Sequence, residues 1–197
     1  MSIVLNIRGT NGSGKSTAVR LLMEKMGTRS PFQLDGKEAG YRFATPAGKV
    51  FVMGKYTTAC GGMDSSFSYK GAADDVVWLV HELSASGHVV AEGVIALGSY
   101  GFGRLTKLAA DLEAQGHHMI FALMDTPLDV CITRCEARRA EKAAAKGKDP
   151  KPLDPHNLES KWDATHKDHE RLGAAGLDCR LIPYQDPLPT ILSWLGL

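Results

Sequence analysis

The feature that most limits what this chain can fold into is the stretch RGTNGSGKST, Arg8 to Thr17, placed directly after the largely apolar run Ile3–Ile7. The run reads as a buried strand. The residues from about Gly14 to Met26 read as a helix, with Ala18, Leu21, Leu22 and Met26 along one side. Between them, Gly9-x-x-x-x-Gly14-Lys15-Ser16 fits the phosphate-binding loop (P-loop) pattern at every position. Glycines let successive backbone N–H groups turn inward around a β-phosphate. The start of the following helix adds the positive end of its dipole. Lys15 is placed to reach the β- and γ-phosphates, and the Ser16 hydroxyl to ligate Mg²⁺. The nucleotide-binding residues are thus Gly9, Thr10, Asn11, Gly12, Ser13, Gly14, Lys15, Ser16 and Thr17, and ATP or GTP is the expected ligand.

Past the loop, apolar runs and helical patterns alternate. Residues 41–56 read as a hairpin around TPAGK, followed by the glycine-rich ACGGMDSSFSYKG. A helix from about Ala72 to Ser86 precedes the buried strand HVVAEGVIA, whose functional end is near Glu92. A helix over GRLTKLAADLEAQG, the strand HMIFALM and a helix over TPLDVCITRCEARRAEKAAA follow. KGKDPKPLDP breaks that helix. A polar helix, a short strand CRLIPY and a C-terminal helix complete the chain. This alternation predicts an α/β fold of the P-loop NTPase type, a three-layer αβα sandwich with a mostly parallel sheet. Residues 1–197 read as a single domain, with a mobile basic lid over about 134–153. In residues 134–151, seven Arg/Lys stand against three Asp/Glu.

The formal net charge of +1 gives no basic global field, so contact with a polyanion would have to come from a local patch. None of the four cysteines forms a CxxC pair, and reduced thiols in a cytosol-like compartment are expected. No signal peptide is legible, and no uncharged apolar run reaches the roughly 18 residues that span a bilayer. The expected location is the cytoplasm. No obligate protein partner is implied.

A nucleotide site leaves a kinase, a GTPase or a motor ATPase open. MDTP after the fourth strand lacks the lysine of a guanine-reading motif, and a motor needs more chain. Small kinases instead close an arginine-bearing lid over the transferred phosphate. Arg134 and Arg138, at i and i+4 on one helix face with Arg139 beside them, suit that role. Glu92, ending a buried strand, is the candidate to hold Mg²⁺ beside Ser16. Asp64, in ACGGMDS, is the candidate base that orients an acceptor hydroxyl and takes its proton. Asp35, in QLDGK, is the rival, although Asp-Gly is a turn signal. Tyr56, Phe67 and Tyr69 flank the glycine loop and could face a nucleobase, but ordinary packing explains each ring singly. Cys131 with Cys135, and His166 and His169 with Asp163 and Asp168, carry metal-ligating atoms. Buried small side chains and a solvated helix face explain them as well.

NIRGTNGSGKST, then GKYTTACGGMDS, then VVAEGVIALGSYGFGRL, in that order over about the first 140 residues, resemble the bacteriophage P-loop kinases that act on 5-hydroxymethyluracil in DNA. The P-loop is common to many kinases; the ACGGMD loop and the EG…SYGFGRL stretch carry the specific likeness. The resemblance implies ATP as donor and the hydroxymethyl group of 5-hydroxymethyluracil in DNA as acceptor, a step in thymidine hypermodification that protects viral DNA from restriction. A kinase for a free nucleoside, nucleotide or other small hydroxyl metabolite is the alternative. A nucleotide-gated switch with no acceptor is a third class.

Overall fold

The computed structural model describes residues 1–57, 62–67, 72–93 and 102–197, except the side chains of Asp64 and Ser65. The ACG part of the glycine loop (Ala59, Cys60 and Gly61), Tyr69 and residues 94–101 therefore lie outside the described residues. The chain forms one seven-stranded sheet in the order β2-β3-β4-β5-β1-β6-β7. The strands are β1 (Ile3–Arg8), β2 (Arg29–Leu34), β3 (Lys37–Thr45), β4 (Gly48–Met53), β5 (His88–Glu92), β6 (His118–Asp125) and β7 (Asp178–Pro183). The helices are α1 (Lys15–Met26), α2 (Met63–Ser66), α3 (Ala72–Ser84), α4 (Phe102–Ala114), α5 (Leu128–Ala144), α6 (Pro155–Ala174) and α7 (Leu188–Leu195). β1 lies in parallel between β5 and β6, and β4–β5 and β6–β7 are also parallel. Among the described strands the β2–β3–β4 meander is antiparallel.

Both faces of the sheet are covered, as the near-continuous apolar runs of β1, β5 and β6 require. On one face Val76 and Val80 of α3 and Leu105, Leu108 and Leu112 of α4 pack on Val4, Val89 and Phe121. On the other, Ala18, Val19 and Leu22 of α1 and Ile191 and Leu195 of α7 pack on Leu5, Ile7, Val90 and Ile120. This is the expected αβα sandwich. No described helix is long and apolar enough to cross a membrane.

The hairpin expected over 41–56 is present, but it is the second turn of a longer meander. β2 was not legible because RSPFQL is an edge strand, exposed or half-exposed throughout, with a proline. Edge strands tolerate a proline such as Pro31 because half of their N–H positions face no partner strand, and with one side open no alternating pattern is imposed.

Parallel pairing brings the carboxyl ends of β1, β5 and β6 to one edge, with Ile7 opposite Glu92 and Arg8 opposite Leu123. Beneath that edge Arg8, with no exposed surface, faces Asp168 of α6 at 3.6 Å. Burial pushes the Arg8 guanidinium pKa down and the Asp168 carboxylate opposes the shift. Removing one member of such a pair leaves a buried charge uncompensated, so the pair locks α6 beneath the loop.

At the opposite edge the Ile3 amide donates to His88 Nδ1 at 3.0 Å. The bond needs the neutral ring, and burial, assisted by the nearby N-terminal ammonium, lowers the His88 pKa. The unfolded chain therefore takes the proton first as pH falls. The stability this group contributes is full above the ordinary histidine pKa of about 6.5 and is lost below it. His88→Asn, whose Oδ1 can accept the same bond without titrating, is expected to flatten part of the fall in Tm between about pH 7 and 5.5. Parallel wild-type and variant curves would refute this.

Candidate active site at the phosphate loop

The loop closes between β1 and α1 through three glycines in backbone conformations closed to most side chains. φ is 149° at Gly9, 84° at Gly12 and 97° at Gly14. At Gly12 the packing demands glycine as well, because a Cβ there would press into the carbonyl of Cys131 at the first turns of α5. Within the loop the Ser13 amide donates to Thr10 O at 3.3 Å. Lys15 Nζ donates to Gly9 O at 2.8 Å and Thr10 O at 3.0 Å. The ammonium is thus held across the loop mouth, in reach of an anion there. The structure brings the whole predicted nucleotide-binding set, Gly9 to Thr17, onto this one turn and the start of α1.

On the β5 side of the loop the Ser16 hydroxyl donates to Glu92 Oε1 at 2.6 Å. Sequence reasoning named each of these side chains separately for Mg²⁺, Glu92 through water; the structure joins them directly across 76 residues. Glu92 is 4% exposed, and a Cβ on Gly62 would lie 3.0 Å from its carboxylate. Gly62 is in turn pinned to β4, since its amide donates to Lys55 O at 2.9 Å and Gly54 packs flat against it. The short helix α2, which carries Asp64, therefore starts against Glu92. The position of Asp64 is two residues from that contact; its side chain lies outside the described atoms.

Asp35 is elsewhere. It adopts φ 50° in the β2–β3 turn, as its turn signal anticipates. β3 is three strand spacings from β1, roughly 14 Å at about 4.8 Å per strand. Of the candidate aromatic rings, the two among the described residues do not share a platform either. Phe67 is buried in the α3–α4 face and Tyr56 in the α1–α7 face.

On the other side of the loop stands α5. Arg134 Nη1 donates to Gly12 O at 3.3 Å and also approaches Ser13 O, while its guanidinium lies 5.5 Å from the centre of the Tyr184 ring. Arg138 does not converge with it. Arg138 Nη2 reaches Cys135 Sγ at 3.7 Å and lines a cavity of about 280 Å³ with Asn11, Arg139 and Lys161. Arg139 donates to Lys151 O and Pro152 O, folding the Gly/Pro break back onto its own helix.

Two supporting residues were missed from sequence. Thr126 Oγ1 donates to Ser13 O at 2.8 Å, and Trp162 Nε1 donates to Thr126 O at 3.0 Å. This relay connects α6 to the loop through the end of β6. Thr126 stands in MDTP and could be read as an ordinary cap, and Trp162 is remote in sequence; neither carries a local signal. Cys131 and Cys135 are buried, and burial raises the Cys131 thiol to about 11, so it stays protonated. Asp168 is committed to Arg8, and His166 to Trp162, with Nδ1 2.8 Å from Trp162 O and rings 3.7 Å apart.

No protein-family model matches the chain. It is 31% identical over 178 residues to the 5-hmdU DNA kinase of Pseudomonas phage PaMx11, covering 88% of this chain and 87% of that one. It is 33% identical over 144 residues to the 5-hmdU DNA kinase of Pseudomonas phage M6, covering 70% and 73%. A third 5-hmdU DNA kinase, of Bacillus phage SP10, is 29% identical over 179 residues, covering 89% of this chain and 26% of its own length. Among solved structures, deoxyadenosine kinase of M. mycoides aligns over 98% of this chain and 99% of its own, at 11% identity and a TM-score of 0.41.

The fit of Gly12 against α5 yields a direct test. Gly12→Ala adds both an unfavourable φ, a cost of about 1–3 kcal/mol, and an overlap with Cys131. It is expected to weaken ATP binding by about tenfold or more, measured by calorimetric titration. Gly116→Ala, at φ 79° with open space around it, is the control: lower Tm, unchanged ATP affinity. Equal ATP affinity in the two variants would remove the loop–α5 contact from the binding argument.

Proposed function

The chain belongs to the phage 5-hmdU DNA kinase family, and on that premise we propose how its site moves the γ-phosphoryl group of ATP to the hydroxymethyl oxygen of 5-hydroxymethyluracil in DNA. The observation that carries the reading is the meeting of Ser16, Glu92 and Gly62 at the mouth of a complete phosphate loop. It sets a hard-oxygen pair beside the place where phosphates bind. It also sets the glycine-rich acceptor loop against that pair.

The roles follow from position. The loop amides and Lys15 bind the β- and γ-phosphates. Ser16 and Glu92 offer the oxygen ligands that suit Mg²⁺, one or two protein groups with water completing the shell. That ion, when bound, neutralises charge on the β- and γ-oxygens. Arg134 and Tyr184 present a cation and a ring on the β6–β7 side, the place for the base of ATP. Residues 134–153 act as the lid of a single domain, and Arg138, already beside Asn11, supplies positive charge to the phosphoryl group in flight. Asp64 orients the acceptor hydroxyl and takes its proton as the oxygen–phosphorus bond forms and the bond to the bridging oxygen of ADP breaks. The target base leaves the stack to reach it.

Transfer of labelled γ-phosphate from ATP to 5-hydroxymethyluracil DNA, with thymine DNA and free hydroxymethyl-dUMP alongside, tests the reading. Label is expected on the modified polymer; label on the monomer alone would make the chain a nucleotide kinase. Lys15→Ala is expected to abolish transfer with the fold retained. Asp64→Asn should lower kcat by about 10²–10⁴-fold with the KM for ATP little changed. Wild-type turnover in that variant would move the base to another residue.

A further inference from the structure

We propose that a groove along α1, on the side of the phosphate loop away from the lid, holds the backbone of the DNA strand next to the target nucleotide, with Arg20 and Arg29 as its phosphate contacts. The inference rests on the reading of the chain as a DNA kinase and adds where the polymer lies.

Direction comes from the chemistry. Attacking and leaving oxygens stand roughly in line across the transferred phosphorus, so acceptor and nucleotide approach from opposite sides. Arg134, Tyr184 and the α5–α6 cavity all lie on the β6–β7 side of β1, whereas Glu92, Gly62 and α2 lie on the β5–β4 side. The acceptor therefore enters over β5 and β4, and its flanking nucleotides must leave by a surface on that side.

A groove of about 380 Å³ opens there, lined by Arg20, Glu24, Thr28, Arg29 and Tyr56 among others. Its upper end adjoins the site on both walls. Arg20 is one helical turn from Ser16 on the same face of α1, about 6 Å along the axis. Tyr56 follows Lys55, which bridges to Gly62 at the Glu92 contact. Arg29, at the start of β2, has its guanidinium seated 4.5 Å over the Tyr41 ring. That contact holds it along the groove without using up its hydrogen-bonding edge. Residues 20–29 carry three cations, Arg20, Lys25 and Arg29, against Glu24. In a chain of net charge +1 this is a local positive surface of the kind that a polyanion needs. Two guanidinium groups on one path suit successive phosphodiesters, and contacts to phosphate place a strand without reading its sequence.

The test compares wild type with the double variant Arg20→Ala/Arg29→Ala and with Arg20→Lys/Arg29→Lys. Phosphorylation of single-stranded 5-hydroxymethyluracil DNA and fluorescence anisotropy of a labelled thymine strand are followed across a salt series. The alanine pair should raise the KM for DNA by about tenfold for each lost charge-assisted contact. It should also make the slope of log K against log salt shallower by about 1.4, two phosphates at roughly 0.7 each. The KM for ATP should not follow. The lysine pair should restore the slope, which a merely structural defect would not allow. Wild-type DNA affinity and salt slope in the alanine pair would overturn the groove while leaving the DNA kinase reading intact. A wild-type chain that phosphorylates only the monomer would overturn that reading, and the anisotropy arm would still decide whether the groove holds a strand.

Discussion

The architecture depends on one close approach, that of the Gly12 backbone to the backbone of Cys131. A phosphate loop needs N–H groups turned inward, and that turn leaves its carbonyls facing outward. Those of Gly12 and Ser13 would be orphaned polar groups if α5 packed against them with nothing to offer. Here they meet donors, Arg134 from α5 and Thr126 from the end of β6. The Trp162 indole then holds Thr126 from α6. Arg8 and Asp168 fasten α6 to the strand that feeds the loop. Sheet edge, loop and the two long helices thus form one hydrogen-bonded and ion-paired unit.

The opposite side of the loop is built on a different principle. Glu92 comes from the neighbouring strand, and the segment bearing Gly62 is laid over it by a two-glycine contact with Gly54. With no side chains at Gly54 and Gly62, the backbone at Gly62 can come down onto a carboxylate already bonded to Ser16. A hydrogen bond of 2.6 Å between a hydroxyl and a carboxylate is of the short, charge-assisted kind. It places a hydroxyl oxygen and a carboxylate oxygen side by side. The two sides of the loop thus differ chemically, cationic and aromatic toward α5 and β7, carboxylate and glycine toward β5 and β4.

Much of this was legible in advance, and the parts that were not share a cause. The strands buried on both faces, β1, β5 and β6, announce themselves because only apolar residues fit there. The loop announces itself because phosphate binding demands glycine, lysine and serine at set spacing. Glu92 could be singled out because carboxyl ends of parallel strands gather in one place. β2 could not, since an edge strand with an open side imposes little pattern on RSPFQL. Arg134 and Arg138 share a helix face, as their spacing dictates, but go to different neighbours. Tyr56 and Phe67, eleven positions apart, end on opposite faces of the sheet.

The sequence by itself determined the class of fold, the phosphate loop and the identity of the residues that line it, because those are set by local periodicity and by a contiguous motif. It also carried the family, through short stretches spread along the chain. Only the tertiary structure decided which of the distant candidates meet. Ser16 and Glu92 are joined by parallel pairing of β1 and β5, and Arg134 and Tyr184 by parallel pairing of β6 and β7, which brings the ends of those strands together. Thr126 and Trp162 acquire their roles only when α6 packs back over β6. Pairing of strands remote in sequence is a long-range choice made by burial of whole faces, and no local pattern of residues records it.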